Sequence, residues 1–157
     1  MSYIKAVYLD LSQCCDDFIK GAELLEQCLV NDAAVCFQRA CESVSEGHSL
    51  FSKYYSYYGF SCLLNGEYEA INFCRQAVKS YPFDGDICMN LARAEMFLGN
   101  RNCALDVIKT GLRFSNEHAG LHQLKIKLGV RKRKPLPFLS RNNPINTALG
   151  KRMRKLR

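Results

Sequence analysis

Ala70 and Ala77 return 34 residues later as Ala104 and Gly111, and they are anticipated 37 residues earlier by Ala33 and Ala40. Between the members of each pair stands a larger residue: Phe37, Cys74 and Ile108 in turn. A motif returning at an interval in this range marks a stacked repeat, in which no unit can bury its apolar face alone. Residues three and four apart share one helical face. Each small–large–small triplet therefore forms a stripe on which another helix can pack closely. Gly66 and Gly99 stand just ahead of the second and third triplets, and Pro82 stops the second helix because it lacks the N–H that the ladder needs. The pattern predicts an all-α fold, with helices near 6–28, 31–45, 49–64, 67–80, 84–97, 101–114 and 117–128 and no strand.

These residues resemble the tetratricopeptide repeat, a pair of antiparallel helices with small residues in both. The second repeat matches through Tyr55, Tyr58, Gly59, Gly66, Tyr68, Ala70, Ala77 and Pro82. The third supplies Leu91, Ala92, Gly99, Ala104, Ile108 and Gly111, with Asn116 where the family has proline. The first holds Gly21, Leu24, Ala33, Phe37 and Ala40. The turn of the second repeat is one residue short, and three extra residues separate the first two repeats. The resemblance covers residues 14–116 and implies an α-solenoid of antiparallel helix pairs, with repeats at about 14–47, 52–84 and 85–116. A capping helix over 117–128 should cover the third repeat with Leu121, Leu124 and Leu128 and show Lys125 and Lys127 to water. Residues 1–128 then form the repeat domain and 129–157 a C-terminal tail.

Composition removes several alternatives. No stretch approaches the roughly 18 apolar residues that a membrane-spanning helix needs, and Met1–Lys5 is not followed by an apolar core of signal-peptide length. The expected location is the cytoplasm. Nine cysteines with no Cys-x-x-Cys pair are read as buried free thiols of a reducing compartment rather than as a metal or redox motif. Cys62, Cys74 and Cys88 fall where helix faces should meet. His118 and His122 share a helical face, but only Glu117 stands near them, so they are read with His48 as exposed or capping residues. No nucleophile triad, phosphate loop or paired-carboxylate signature is present. The expectation is a non-enzymatic protein without metal or cofactor.

Charge divides the chain. Residues 1–128 hold 12 Lys/Arg against 15 Asp/Glu, whereas residues 129–157 hold 10 Lys/Arg and no acid. Arg131, Lys132, Arg133 and Lys134 precede Pro135–Leu139, where two prolines favour an extended path. Asn143-Pro144 then reads as a helix start. Ile145, Leu149, Met153 and Leu156 fall on one face of that helix, with Lys151, Arg152, Arg154 and Lys155 towards its end. A basic block attracts polyanions without specifying which. Docking on the acidic body, an acidic protein, nucleic acid and an anionic membrane surface all remain open.

In the family resembled, helix-A side chains line a concave surface that takes an extended peptide or a helix. The corresponding positions here include Phe18, Ala22, Leu25 and Glu26, then Lys53, Ser56, Phe60, Leu63 and Leu64, then Asp86, Met89, Arg93, Met96 and Phe97. The expected partner-binding set is Phe18, Leu25, Lys53, Ser56, Phe60, Leu63, Met89, Arg93 and Met96. The clamp positions by which some members grip a chaperone's C-terminal carboxylate hold Phe18, Ala22, Tyr57, Asp86 and Asn90, which argues against that role. The implied function is a protein–protein interaction adaptor or scaffold that holds a partner segment in its groove. The alternatives are a nucleic-acid-associated protein acting through the tail, and a translocator chaperone of type III secretion, whose pattern lacks such a tail.

Overall fold

The computed structural model describes residues 13–129, residues 143–145 and residue 149. Seven α-helices follow one another there: α1 (Asp16–Glu26), α2 (Val30–Glu42), α3 (Phe51–Leu64), α4 (Ile71–Ser80), α5 (Gly85–Phe97), α6 (Arg101–Phe114) and α7 (Ala119–Leu128). No strand occurs among the described residues, and the chain is all-α, with consecutive helices packed on their neighbours. Residues 6–12 of the first expected helix lie outside the described residues, as do Arg131–Lys134, Pro135–Leu139 and the Lys151–Lys155 cluster. Residues 13–15 are not helical; Cys15 is extended at the N-cap of α1, and Asp16 and Asp17 follow in the first turn, where the helix dipole favours acids. In the tail, Asn143 accepts a hydrogen bond from the Ile145 N–H at 3.0 Å, a side-chain cap at the expected helix start.

Three turns close in the same way. The N–H groups of Leu29, Glu67 and Asn100 donate back to the carbonyls of Leu24, Cys62 and Glu95, at 2.9, 3.0 and 2.8 Å. The residue before each of them, Cys28, Gly66 and Gly99, has positive φ and donates to Leu25, Leu63 and Met96. This is the double bond of a Schellman cap, which satisfies carbonyls left over at the end of a helix. α1, α3 and α5 thus end alike, and each following helix packs back on its predecessor.

Seven residues before each of those turns stands Gly21, Gly59 or Ala92. A side-chain carbon on Gly21 would press on the Phe37 ring, and one on Gly59 would sit 2.6 Å from Phe73 Cβ and 3.0 Å from the Ala70 carbonyl oxygen. These two positions set the close approach within the first and second helix pairs. From the other side, Ala33, Ala40, Ala70, Ala77 and Ala104 are buried, as are Phe37, Cys74 and Ile108 between them.

The core is continuous from α1 to α5. Phe18 of α1 packs on Phe37 of α2 and on Tyr54 and Tyr57 of α3, with centroids 4.7–5.4 Å apart. These rings fill the space between α1 and α3, whose backbones approach each other less closely than those of α3 and α5. Burying one such ring contributes about 1.5–3 kcal/mol. A second cluster joins Cys88, Met89, Ala92 and Ile108 to Leu121 and Leu124 of α7, with Leu128 packed beside it and Lys125 and Lys127 exposed. Arg101 ties the end of α7 to the start of α6 by donating to the carbonyls of Leu128 and Gly129. Thus α7 runs antiparallel to α6 and covers the third pair. No described helix is long and apolar enough to cross a membrane.

Candidate functional site

The face where α3 meets α5 is polar. Lys53, Ser56, Tyr57 and Phe60 line one stripe of α3, and Asp86, Asn90 and Arg93 line the opposing stripe of α5. Asp84 caps α5, accepting from the Asp86 and Ile87 N–H groups at 2.7 and 3.2 Å. Lys53 Nζ then lies 2.9 Å from Asp86 and 3.8 Å from Asp84. His118, at the N-cap of α7, joins the group 3.0 Å from the other Asp86 oxygen. An ionised carboxylate only accepts, so Nε2 donates there while Nδ1 accepts from the Leu121 N–H at 3.2 Å. His118 therefore caps α7 and ties it to α5, which is why that helix begins at Ala119.

Charge and burial compete at this seam. Burial pushes the Asp86 carboxyl up, but the His118 hydrogen bond and the Lys53 ammonium outweigh it and hold the carboxyl below its ordinary value. Burial pulls Lys53 down, yet Asp86 and Asp84 overcome this and raise it. Tyr57 is pushed well above the usual phenol range, chiefly by burial. One turn further along, Asn90 Nδ2 donates to Ser56 Oγ at 3.1 Å, while Ser56 itself donates to the Lys53 carbonyl at 2.9 Å. That leaves Asn90 Oδ1 buried without a partner, and Arg93 Nε is in the same position. Arg93 forms no ion pair among the described residues; burial lowers its proton affinity, against the opposing pull of Tyr57 and Asp86. Met96 and Phe97 follow three and four residues along α5, half-buried and exposed respectively.

The expected partner-binding set divides here. Phe18, Leu25, Ser56, Phe60, Leu63 and Met89 are interior residues, so they are not available as a surface. The aromatic packing of α1 on α3 encloses the first group, and α7 covers Met89, whose sulfur rests on Gly120. Lys53 is buried and committed to two carboxylates. Only Arg93 and Met96 retain partial exposure. The sequence did not show two features of this face: the Asp84–Asp86–His118 network and the unpartnered polar atoms of Asn90 and Arg93. Asp84-Gly85-Asp86 does carry a helix-start signal. Nothing local, however, says that a histidine 32 residues on closes over it.

The other chemistry-bearing residues are placed apart from this face. His122 bonds the Asn116 carbonyl at 2.6 Å, and His48 accepts from the Leu50 N–H at 3.2 Å. None of the nine cysteines is in a disulfide; Cys36, Cys62, Cys74 and Cys88 are buried, and Cys28 and Cys103 are exposed. Burial pushes Cys41 and Cys74 up to about 12 and Cys88 to about 11. Among the described residues no three His, Cys, Asp or Glu side chains gather into a metal-holding group. No family model matches this chain, and no curated protein matches it in sequence.

Proposed function

We propose that this chain is a binding module of the tetratricopeptide type, holding a polypeptide segment against the α5 face at Arg93, Met96 and Phe97. The observation that carries the reading is Arg93, which keeps partial exposure, forms no ion pair among the described residues and has its Nε without a partner. A buried polar atom left unpaired costs about 1–3 kcal/mol, and a peptide carbonyl at the Arg93 guanidinium would offset that cost. Phe97 and Met96 add an apolar foothold, and methionine adapts to varied partners. The module acts as an adaptor rather than as a catalyst: the Ser56 hydroxyl is buried and bonded to Asn90 and the Lys53 carbonyl, and His118 and Asp86 are engaged with each other.

Selection from a displayed random-peptide library tests this. Binding peptides should be enriched on the wild-type chain, lost on Arg93→Ala and Phe97→Ser, and retained in moderate salt, because apolar burial is not screened. Equal enrichment on wild type and on Arg93→Ala would overturn the reading.

A second reading, nucleic-acid association, is favoured by the ten Lys/Arg and no acid of residues 129–157.

A further inference from the structure

Three aromatic rings stand out from the surface where α4 runs into α5 and α6 into α7. Tyr81, Phe83 and Phe114 are 45 %, 56 % and 52 % exposed. They touch one another edge to face, Tyr81 on Phe83 at 6.1 Å and 89°, and Phe83 on Phe114 at 4.8 Å and 84°. Their backbone is pinned: Ser115 Oγ donates to the Phe83 carbonyl at 2.9 Å, Cys88 Sγ to that of Pro82 at 3.5 Å, and the Tyr81 N–H to Ala77 at 2.9 Å. Rings held this way are ordered before any ligand arrives, so little rotamer freedom is lost on binding.

The exposed charges adjoining the rings in sequence are two cations and one acid. Lys79 lies two residues before Tyr81 and Arg113 immediately before Phe114. Both are exposed, and neither forms an ion pair among the described residues. Of the nearby acids, Asp84 is engaged in its cap and with Lys53, leaving Glu117 as the exposed one. The cluster holds no large aliphatic residue among its exposed apolar side chains. Aliphatic groups suit the apolar face of a partner helix. Ring faces flanked by cations suit planar bases on a phosphate chain.

We propose that Tyr81, Phe83 and Phe114, with Lys79 and Arg113, form a stacking platform for single-stranded nucleic acid. The rings take the bases and the two cations take the neighbouring phosphates. The surface is distinct from the α5 face at Arg93, so the two proposals stand or fall separately. It is also distinct from the tail, whose cations add attraction without the selectivity of stacking.

Fluorescence anisotropy of the full chain with short labelled oligothymidylate, oligouridylate and duplex probes, over a range of salt, tests it. Single strands should bind more tightly than duplex, and the two single-stranded probes will show whether DNA or RNA is preferred. Phe83→Ala and Phe114→Ala should each weaken single-strand binding about tenfold with an unchanged salt slope, given the usual energy of base–aromatic stacking. Phe114→Tyr should restore it. Lys79→Ala and Arg113→Ala should each lower the slope by about 0.7, the value for one single-strand phosphate. All four positions are exposed, so circular dichroism and melting should match wild type. The proposal is overturned if the folded ring variants bind like wild type, since the tail alone would then account for binding. It is overturned equally if duplex binds as tightly as single strand, if wild type binds neither probe at low salt, or if an acidic aromatic peptide competes at equal affinity and loses binding in the same ring variants.

Discussion

Cys28 holds the left-handed backbone conformation that Gly66 holds one helix pair later, with φ of 63° against 97°. Each donates its N–H to the residue three back, Leu25 or Leu63, and each precedes the residue that closes the longer bond of the cap. A side-chain-bearing residue in this conformation costs roughly 1–2 kcal/mol, partly offset by the greater unfolded-state freedom of glycine. Cys28→Gly should therefore stabilise the chain by about 0.5–1 kcal/mol, raising the melting temperature by about 1–4 °C for a chain of this size. Gly66→Ala should lower it by a similar amount. A lower melting temperature for Cys28→Gly would show that the thiol contributes something the turn geometry does not.

Asp86 is the hub of the α3–α5–α7 seam, and removing its charge leaves Lys53 buried with a single distant carboxylate. Asp86→Asn should destabilise by about 3 kcal/mol, the scale for breaking a largely buried pair. The pH profile should change with it. Because the folded carboxyl lies below its ordinary value, its stabilisation is present above the ordinary carboxylate range and is lost as pH falls through the folded value. Wild type should thus lose stability below about pH 4, and Asp86→Asn should flatten that part of the curve. Lys53 acts at the other end: its raised value keeps its contribution intact below the ordinary ammonium range and removes it only at higher pH. Denaturant unfolding across pH measures both limbs.

Gly59→Ala should destabilise by about 1–3 kcal/mol, because the new methyl meets Phe73 and the α4 backbone rather than a flexible side-chain end. Gly47→Ala is the control, since nothing lies within 4 Å of its added carbon. Equal melting of the two variants would mean that α3 and α4 can move apart freely.

Thiol labelling should separate the cysteines by burial. At mildly alkaline pH, Cys28 and Cys103 should react fast, while Cys36, Cys62, Cys74 and Cys88 should wait for unfolding. Mass spectrometry of the native, labelled chain reads this directly. Early modification of Cys74 would contradict its place between α3 and α4.

The architecture was legible in the sequence because helix pairing is local. Ala33, Ala70 and Ala104 carry the period themselves, and the buried triplets coincide with the helices that the spacing requires. The helix ends were less legible. Residues 13–15 are not helical, and His118 is a cap rather than the first turn, because a cap depends on where one side chain can find a partner.

The concave set shows the larger gap between sequence and tertiary structure. Position on an inner helix face named Arg93 and Met96, which keep partial exposure, but the same rule named Phe18, Phe60 and Met89, which are interior. Helical periodicity tells which side of a helix a residue occupies, not how closely the next helix approaches on that side. The approach was set by contacts remote in sequence: the Phe18–Tyr54 stack, the sulfur of Met89 on Gly120, and His118 closing on Asp86. The Tyr81–Phe83–Phe114 cluster arises in the same way, from two helix ends 31 residues apart brought together by packing. Spacing and composition carry the repeat pattern, the all-helical character and the division of charge. Which side chains are left at the surface with chemistry to offer follows from packing alone, because burial is a property of neighbours and not of the residue.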